Sequence, residues 1–128
     1  VKDDFSLAKK ESATLLKNID NVKPSTFSAE AKTAWDSFRK ELSSESGPMA
    51  KGENITDIRN SFIELSKTMI GMVKSFELPN ETIYVQFCPM ANSDKGAEWL
   101  SRSSEIANPY YGSAMLTCGE VTETLNRK

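Results

Sequence analysis

The fold is decided by residues 55–76, which read ITDIRNSFIELSKTMIGMVKSF. Large apolar residues recur in this stretch at alternating steps of three and four positions. They are Ile55, Ile58, Phe62, Leu65, Met69, Met72 and Phe76. This period places their side chains on one face of an α-helix and is typical of a packing seam between helices. Asn54, with Asp57 three residues later, predicts the N-terminal cap, and Pro79-Asn80 predicts the end of the helix.

Two further helices are predicted on the N-terminal side of this one. Residues 4–20 contain neither Gly nor Pro and carry apolar residues at helical spacing, and residues 27–42 carry a second apolar stripe. The candidate caps of the second helix are Ser25, Thr26 and Ser28. Residues 43–52 are polar and contain Gly47-Pro48, which predicts a mobile loop. Amphipathic helices that face one another predict an antiparallel bundle of three to four helices over residues 1–79.

The sequence changes character after Asn80. Residues 82–87 are rich in β-branched and aromatic residues that alternate with period two, which predicts a strand. Residues 119–125 predict a second strand, and pairing the two gives a two-stranded β-hairpin closed over a long loop. The Trp, Tyr and Leu side chains of that loop are too apolar for disorder, so we expect it to pack against the bundle and to carry the function. The predicted fold is mainly α, a single domain in which residues 80–128 form a strand–loop–strand cap.

Composition excludes several classes of function. The 128 residues include 16 Lys and Arg against 18 Asp and Glu, a formal net charge of −2, with the two signs interspersed. Phosphate binding needs clustered basic charge, so we expect no nucleic-acid partner. Histidine is absent, which excludes the usual catalytic triads and histidine-based metal sites. The longest apolar run, Met69–Val73, is too short to span a membrane, and no nucleophile with a base points to an enzyme.

Two short sulfur-bearing motifs lie in the C-terminal third, Cys88-Pro89-Met90 and Met115-Leu116-Thr117-Cys118. Two thiolates and two thioethers without imidazole favour soft ions such as copper(I) or silver(I). The spacing alone leaves three interpretations open: this metal site, a structural disulfide closing a loop of about 30 residues, or two inert free thiols. Disulfide sulfurs are poor ligands, so the first two exclude one another in one molecule. Gly119 allows the second motif a tight turn or a close backbone approach.

Four ordered blocks stand out in the same region. They read YVQFCPMA (84–91), KGAEWLS (95–101), IANPYYG (106–112) and MLTCGEV (115–121). Together they resemble a domain family of unassigned function that occurs in Gram-negative envelope proteins, alone or fused to the periplasmic adaptor subunits of copper/silver efflux systems. The helical part before the blocks fits the layout of that family less specifically.

The resemblance implies a non-catalytic role in heavy-metal handling. It implies that Cys88, Met90, Met115 and Cys118 bind copper(I) or silver(I) in connection with efflux or resistance. It further implies a periplasmic or cell-envelope location, either free or lipid-anchored through a segment before Val1. The implied partner is a heavy-metal efflux adaptor or another envelope protein. The alternative is a disulfide-stapled interaction module of an envelope assembly that binds no metal.

Overall fold

Three long helices form the first part of the chain in the computed structural model, which describes residues 2–76 and 80–126. They are α1 (Phe5–Asp20), α2 (Ala29–Ala50) and α3 (Ile55–Ser75), and a 3₁₀ turn at Pro24–Thr26 separates α1 from α2. The three predicted helices are confirmed. Side chains accept a backbone N–H at each start, and these caps are Asp4, Ser28 and Asn54. The predicted stop at Pro79 lies outside the described residues.

The core of the bundle is centred on α2, which packs against both other helices. The buried residues of this core are Ile19, Trp35, Leu42, Met49, Ile58 and Leu65. Phe38 of α2 packs edge-on against Phe76, just after the end of α3. Glu45, which is further along α2 than Phe38, accepts a hydrogen bond from Thr68, which precedes Phe76 in the chain. The two helices therefore run antiparallel, as predicted. Each fully buried large apolar side chain contributes roughly 1.5–3 kcal/mol, so this seam is a major source of stability.

Helix α2 continues where the sequence predicts a loop. Residues 43–50 are helical with Gly47-Pro48 inside the helix, so the loop prediction is wrong over these residues. Proline in a helix interior costs about 3 kcal/mol. Ser46 and Met49 are buried, and they continue the buried face of Leu42 at steps of four and three. Packing of this face against the other helices outweighs the local helix-breaking signal.

The C-terminal part is a three-stranded antiparallel sheet in the order β2-β1-β3. Its strands are β1 (Thr82–Cys88), β2 (Ala97–Ser101) and β3 (Glu120–Asn126). The predicted pairing of the first and last strands is confirmed, with Ile83 opposite Leu125 and Phe87 opposite Glu120. The prediction of a two-stranded hairpin is corrected, because β2 pairs with the other edge of β1.

A tight connection between β1 and β2 makes this extra strand possible. The one-turn segment α4 (Ala91–Asp94) has positive φ angles of 56°, 53° and 62° at Asn92, Ser93 and Asp94. Such a left-handed turn reverses the chain within a few residues. Gly96 follows with φ 83°, and a Cβ there would lie 2.4 Å from the Phe87 ring. Strand β2 itself reads AEWLS, and its adjacent apolar residues Trp99 and Leu100 break the alternation that would predict a strand.

A second buried cluster joins the sheet to the helices. It consists of Cys88, Ala91, Ala97, Trp99 and Tyr110. Phe62 and Ile63 of α3 pack against this cluster, and the Phe62 and Tyr110 ring centroids are 5.7 Å apart. The segment between β2 and β3 is therefore ordered and packed on the bundle, as predicted. Within residues 2–76 and 80–126, no helix has the length and apolarity needed to cross a membrane.

Candidate functional site

The two cysteines meet at one end of the sheet. Cys88 is the last residue of β1, and Cys118 lies two residues before β3, the strand that pairs with β1. Their Sγ atoms are 2.9 Å apart. Both are free thiols, so the structure contains no disulfide between them. A structural disulfide was one of the three interpretations that the spacing of the two cysteines left open. Bonded sulfurs lie about 2.05 Å apart, so closure needs roughly a further 0.9 Å of approach.

The turn that carries Cys118 is held by the side chain of Asn108, which is fully buried. Its Nδ2 donates to the Cys118 carbonyl at 2.8 Å, and its Oδ1 accepts the N–H of Tyr110 at 2.8 Å and of Tyr111 at 3.1 Å. The Asn108 N–H also donates to the Leu116 carbonyl at 2.8 Å. One side chain therefore ties the loop over residues 108–111 to the turn before β3.

Glycine at position 119 lets this turn approach the sheet. Gly119 has φ 140°, and a Cβ there would lie 2.8 Å from the Phe87 carbonyl and 3.0 Å from the Trp99 ring. Any larger residue would push the chain away from the end of β1. The predicted close backbone approach next to Cys118 is confirmed.

The two thiols differ in their electrostatic surroundings. Burial raises the pKa of Cys88, but hydrogen bonds to its sulfur from the Cys118 thiol, from the N–H groups of Met90 and Ala91 and from the Asn108 amide outweigh burial. Its pKa therefore lies below the usual range. The hydrogen bond to Cys88, burial and the negative charge of Cys88 together raise the pKa of Cys118. The hydrogen bond between the two thiols, which either sulfur can donate, therefore separates their two pKa values.

One protein family, described as "Protein of unknown function (DUF3347)", matches residues 1–81 of this chain of 128 residues. The chain belongs to this family. No curated protein and no solved structure matches the chain significantly. The DUF3347 match covers the three long helices and ends just before β1, so the sulfur-bearing motifs lie outside it.

The two methionines of these motifs approach the thiol pair with their main chains. Met90 donates its N–H towards the Cys88 sulfur, and its carbonyl accepts from the Tyr111 hydroxyl at 2.6 Å. Its side chain is only partly covered, since 46% of the residue surface is exposed. Met115 is half-buried, and its carbonyl accepts the Cys118 N–H at 3.1 Å. The thioether ligation expected from the sequence stays a prediction.

Carboxylates do not complete a metal site at this end of the sheet. Within the described parts of the chain, no group of three or more Cys, Asp or Glu side chains is arranged to hold a metal ion. A metal at this position therefore depends on the two thiols, with thioethers or solvent as further ligands. Such a donor set selects soft ions.

Two aromatic side chains, Trp99 and Tyr110, belong to the buried cluster that contains Cys88. Trp99 is buried and contacts Tyr110 edge-on, with ring centroids 6.0 Å apart. The Tyr110 hydroxyl donates to the Glu98 carbonyl at 2.5 Å. These contacts agree with the expectation that the aromatic residues pack the loop.

The sequence analysis did not identify Asn108 as a residue of this site. The only feature of the sequence that could have indicated it is the side-chain amide, which can both donate and accept hydrogen bonds, within the Asn-Pro-Tyr-Tyr-Gly block.

Proposed function

We propose that this protein is a soft-metal binding domain that takes copper(I) or silver(I) between Cys88 and Cys118, with Met90 and Met115 as additional thioether ligands. The observation that carries the proposal is the convergence of the only two thiols of the chain to 2.9 Å. They meet where backbone and side-chain N–H groups stabilise a thiolate. A thiolate is the form in which cysteine binds a metal.

The pair must open to admit an ion. With metal–sulfur bonds of about 2.3 Å, two sulfurs sharing one ion lie about 3.8 Å apart in tetrahedral geometry and about 4.6 Å apart in linear geometry. The sulfurs must therefore separate by roughly 1–2 Å from their present 2.9 Å. Cys88 is fixed at the end of a central strand, so we expect the turn carrying Cys118 to supply this movement.

The thioethers complete the site with weaker bonds. Met90 follows Cys88 by two residues, and its exposed side chain is free to fold over the pair. Met115 begins the turn that ends at Cys118, which places both on one short segment. Two thiolates more than neutralise the single positive charge of the ion, and exchangeable thioethers suit transfer of the ion rather than permanent storage.

We place this activity in the periplasm or cell envelope, with a heavy-metal efflux adaptor or another envelope protein as the recipient. The support for location and partner is the resemblance of the four blocks within residues 84–121 to a family found in such proteins. The role is non-catalytic in this proposal.

A second candidate function rests on the same pair. Closure of the 2.9 Å gap to a disulfide would staple the end of β1 to the turn before β3 and give a metal-free interaction module. That candidate requires no copper uptake by the reduced protein and a clear loss of thermal stability when the bridge is reduced.

The test is anaerobic competition for copper(I) between the reduced protein and bathocuproine disulfonate. We expect the wild type to take one equivalent and Cys88→Ser to bind more than about tenfold more weakly, since changes outside the ligand shell alone cost about 10–100-fold. Met115→Leu should weaken binding less, and Met72→Leu, in the seam of α3, is the matched control with unchanged binding. Equal affinity of Cys88→Ser and wild type would overturn the proposal, and so would failure of the wild type to compete.

A further inference from the structure

The two cysteines of the pair differ in their exposure to solvent. Cys88 is fully buried, beneath Ala91, Ala97, Trp99 and Tyr110. Cys118 is half-buried on the turn that precedes β3. Thiol–disulfide exchange requires an attacking sulfur to reach its target sulfur directly. An external thiol can therefore reach the pair only through Cys118.

Attack at the accessible sulfur determines which sulfur leaves. A nucleophile that attacks Cys118 Sγ breaks its bond to Cys88, so the departing sulfur is the buried one. The two Sγ atoms lie 2.9 Å apart in the reduced protein, so the released Cys88 sulfur stays close to Cys118. The accessible position and the leaving group are therefore two different members of one close pair.

We propose that Cys88 and Cys118 form a thiol–disulfide exchange centre that low-molecular-weight thiols enter at Cys118, with Cys88 as the leaving thiolate. This activity needs no metal and goes beyond the proposed function. It assigns unequal roles to the two cysteines, which the sequence presents as equivalent.

The reaction balances in two steps from the oxidised protein. An external thiolate attacks Cys118 Sγ, the bond between Cys88 and Cys118 breaks, and its electron pair stays on Cys88 as a thiolate. The mixed disulfide on Cys118 is then attacked at its external sulfur by a second external thiolate. Cys118 leaves with its electron pair and takes up a proton, one external disulfide is formed, and the protein pair is reduced by two electrons.

The reverse reaction oxidises the protein. The Cys118 thiol gives its proton to solvent, and its thiolate attacks an external disulfide and releases one external thiolate. The Cys88 thiolate, 2.9 Å away, attacks Cys118 Sγ, releases the second external thiolate and closes the bridge. Both directions therefore pass through a mixed disulfide on Cys118.

The experiment locates the mixed disulfide. The protein is oxidised with cystamine, freed of excess reagent, treated with a small amount of cysteamine in the presence of a copper chelator, and quenched in acid. Peptide mapping should find the cysteamine adduct on Cys118. An adduct on Cys88, or failure of the wild-type pair to oxidise with cystamine, would overturn the proposal, and neither result depends on copper affinity.

Single-cysteine variants give an independent measurement. Cys88→Ser leaves only Cys118, and Cys118→Ser leaves only Cys88. With cystamine in excess, we expect Cys88→Ser to react on the order of tenfold faster or more, because access limits the buried thiol. In urea, where both variants are unfolded, the two rates should become equal. Faster reaction of Cys118→Ser in the folded state would contradict the assigned roles even if both variants are destabilised.

Discussion

Replacement of Asn108 by alanine tests how the thiol site is held. The variant removes the donor to the Cys118 carbonyl and the acceptor for the N–H groups of Tyr110 and Tyr111. The Tyr110 N–H is buried, and an unsatisfied buried donor costs about 1–3 kcal/mol. The other two groups are half-buried, so water replaces part of each bond and each loss costs about 1 kcal/mol. The expected loss in unfolding free energy is about 3–5 kcal/mol, a large part of the 5–15 kcal/mol typical of a domain.

The assay is urea unfolding of the reduced protein followed by tryptophan fluorescence. Trp35 reports on the helical core and Trp99 on the cluster behind the thiols. Asn60→Ala, at an exposed position of α3, is the matched control and should change the unfolding free energy by less than about 0.5 kcal/mol. A loss of under about 1 kcal/mol in Asn108→Ala would refute the reasoning, because it would mean that the three hydrogen bonds do not hold the loop to the turn.

The conservative variant Asn108→Asp separates structure from charge. It keeps the oxygen that accepts from Tyr110 and Tyr111, so its loss of stability should be smaller than that of Asn108→Ala. It removes the amide donor and adds a negative charge beside Cys88, so the pKa of Cys88 should rise above its wild-type value. Ultraviolet absorbance of the thiolate during a pH titration measures this shift. An unchanged titration would exclude the amide as a source of thiolate stabilisation.

Three further predictions concern packing and protonation. Gly119→Ala should lower the unfolding free energy measured in urea by about 1–3 kcal/mol, because the new Cβ would lie 2.8 Å from the Phe87 carbonyl and φ is positive there. Gly47→Ala should raise the unfolding free energy by about 0.5–1 kcal/mol, because Gly47 lies inside α2 with open space around the position of a Cβ. Burial raises the pKa of Tyr110 to about 12, so the stability from its neutral hydroxyl should be complete below about pH 10 and be lost as the pH rises towards 12. Tyr110→Phe should lower the unfolding free energy by about 1 kcal/mol at neutral pH and make it less dependent on pH above about 10. For the reduced pair, the lowered pKa of Cys88 adds stability that is full above the unfolded pKa of about 8.5 and is lost as the pH falls. The raised pKa of Cys118 adds stability that is full below the unfolded pKa and is lost as the pH rises. The contribution of the pair to the unfolding free energy should therefore peak near pH 8.5, and Cys118→Ser should remove the loss on the alkaline side.

The sequence predicts an element correctly where its local pattern of apolar and capping residues agrees with the way the element packs in the fold. The alternating steps of α3 place its apolar residues on one face, and the caps at Asn54 and Ser28 use hydrogen bonds within four residues of sequence. The end of α2 could not be predicted in this way, because Gly47-Pro48 is a local loop signal and the burial of Met49 against other helices is not local.

Long-range contacts explain the remaining differences. Strand β2 is stabilised by pairing with β1, and the adjacent apolar residues Trp99 and Leu100 interrupt the alternation that would reveal a strand in its sequence. The approach of Cys88 to Cys118 follows from the predicted pairing of the first and last strands. The unequal roles that we propose for the two thiols do not follow from this pairing, because they depend on which of the two cysteines is buried.

Metal binding and oxidation require opposite movements of the same turn. A bound ion needs the sulfurs roughly 1–2 Å further apart, and a disulfide needs them about 0.9 Å closer. The turn carrying Cys118 is tied through Asn108 to Pro109, whose carbonyl accepts from Arg59 Nε of α3 at 2.9 Å. Arg59 also contacts Asp3, and Asp3 accepts the Ser113 N–H, so the same loop is fastened to the start of the bundle. We therefore expect amide hydrogen exchange over residues 108–113 to differ between the copper-loaded and oxidised proteins, while α2 stays unchanged; identical exchange would show that the turn moves independently of this loop.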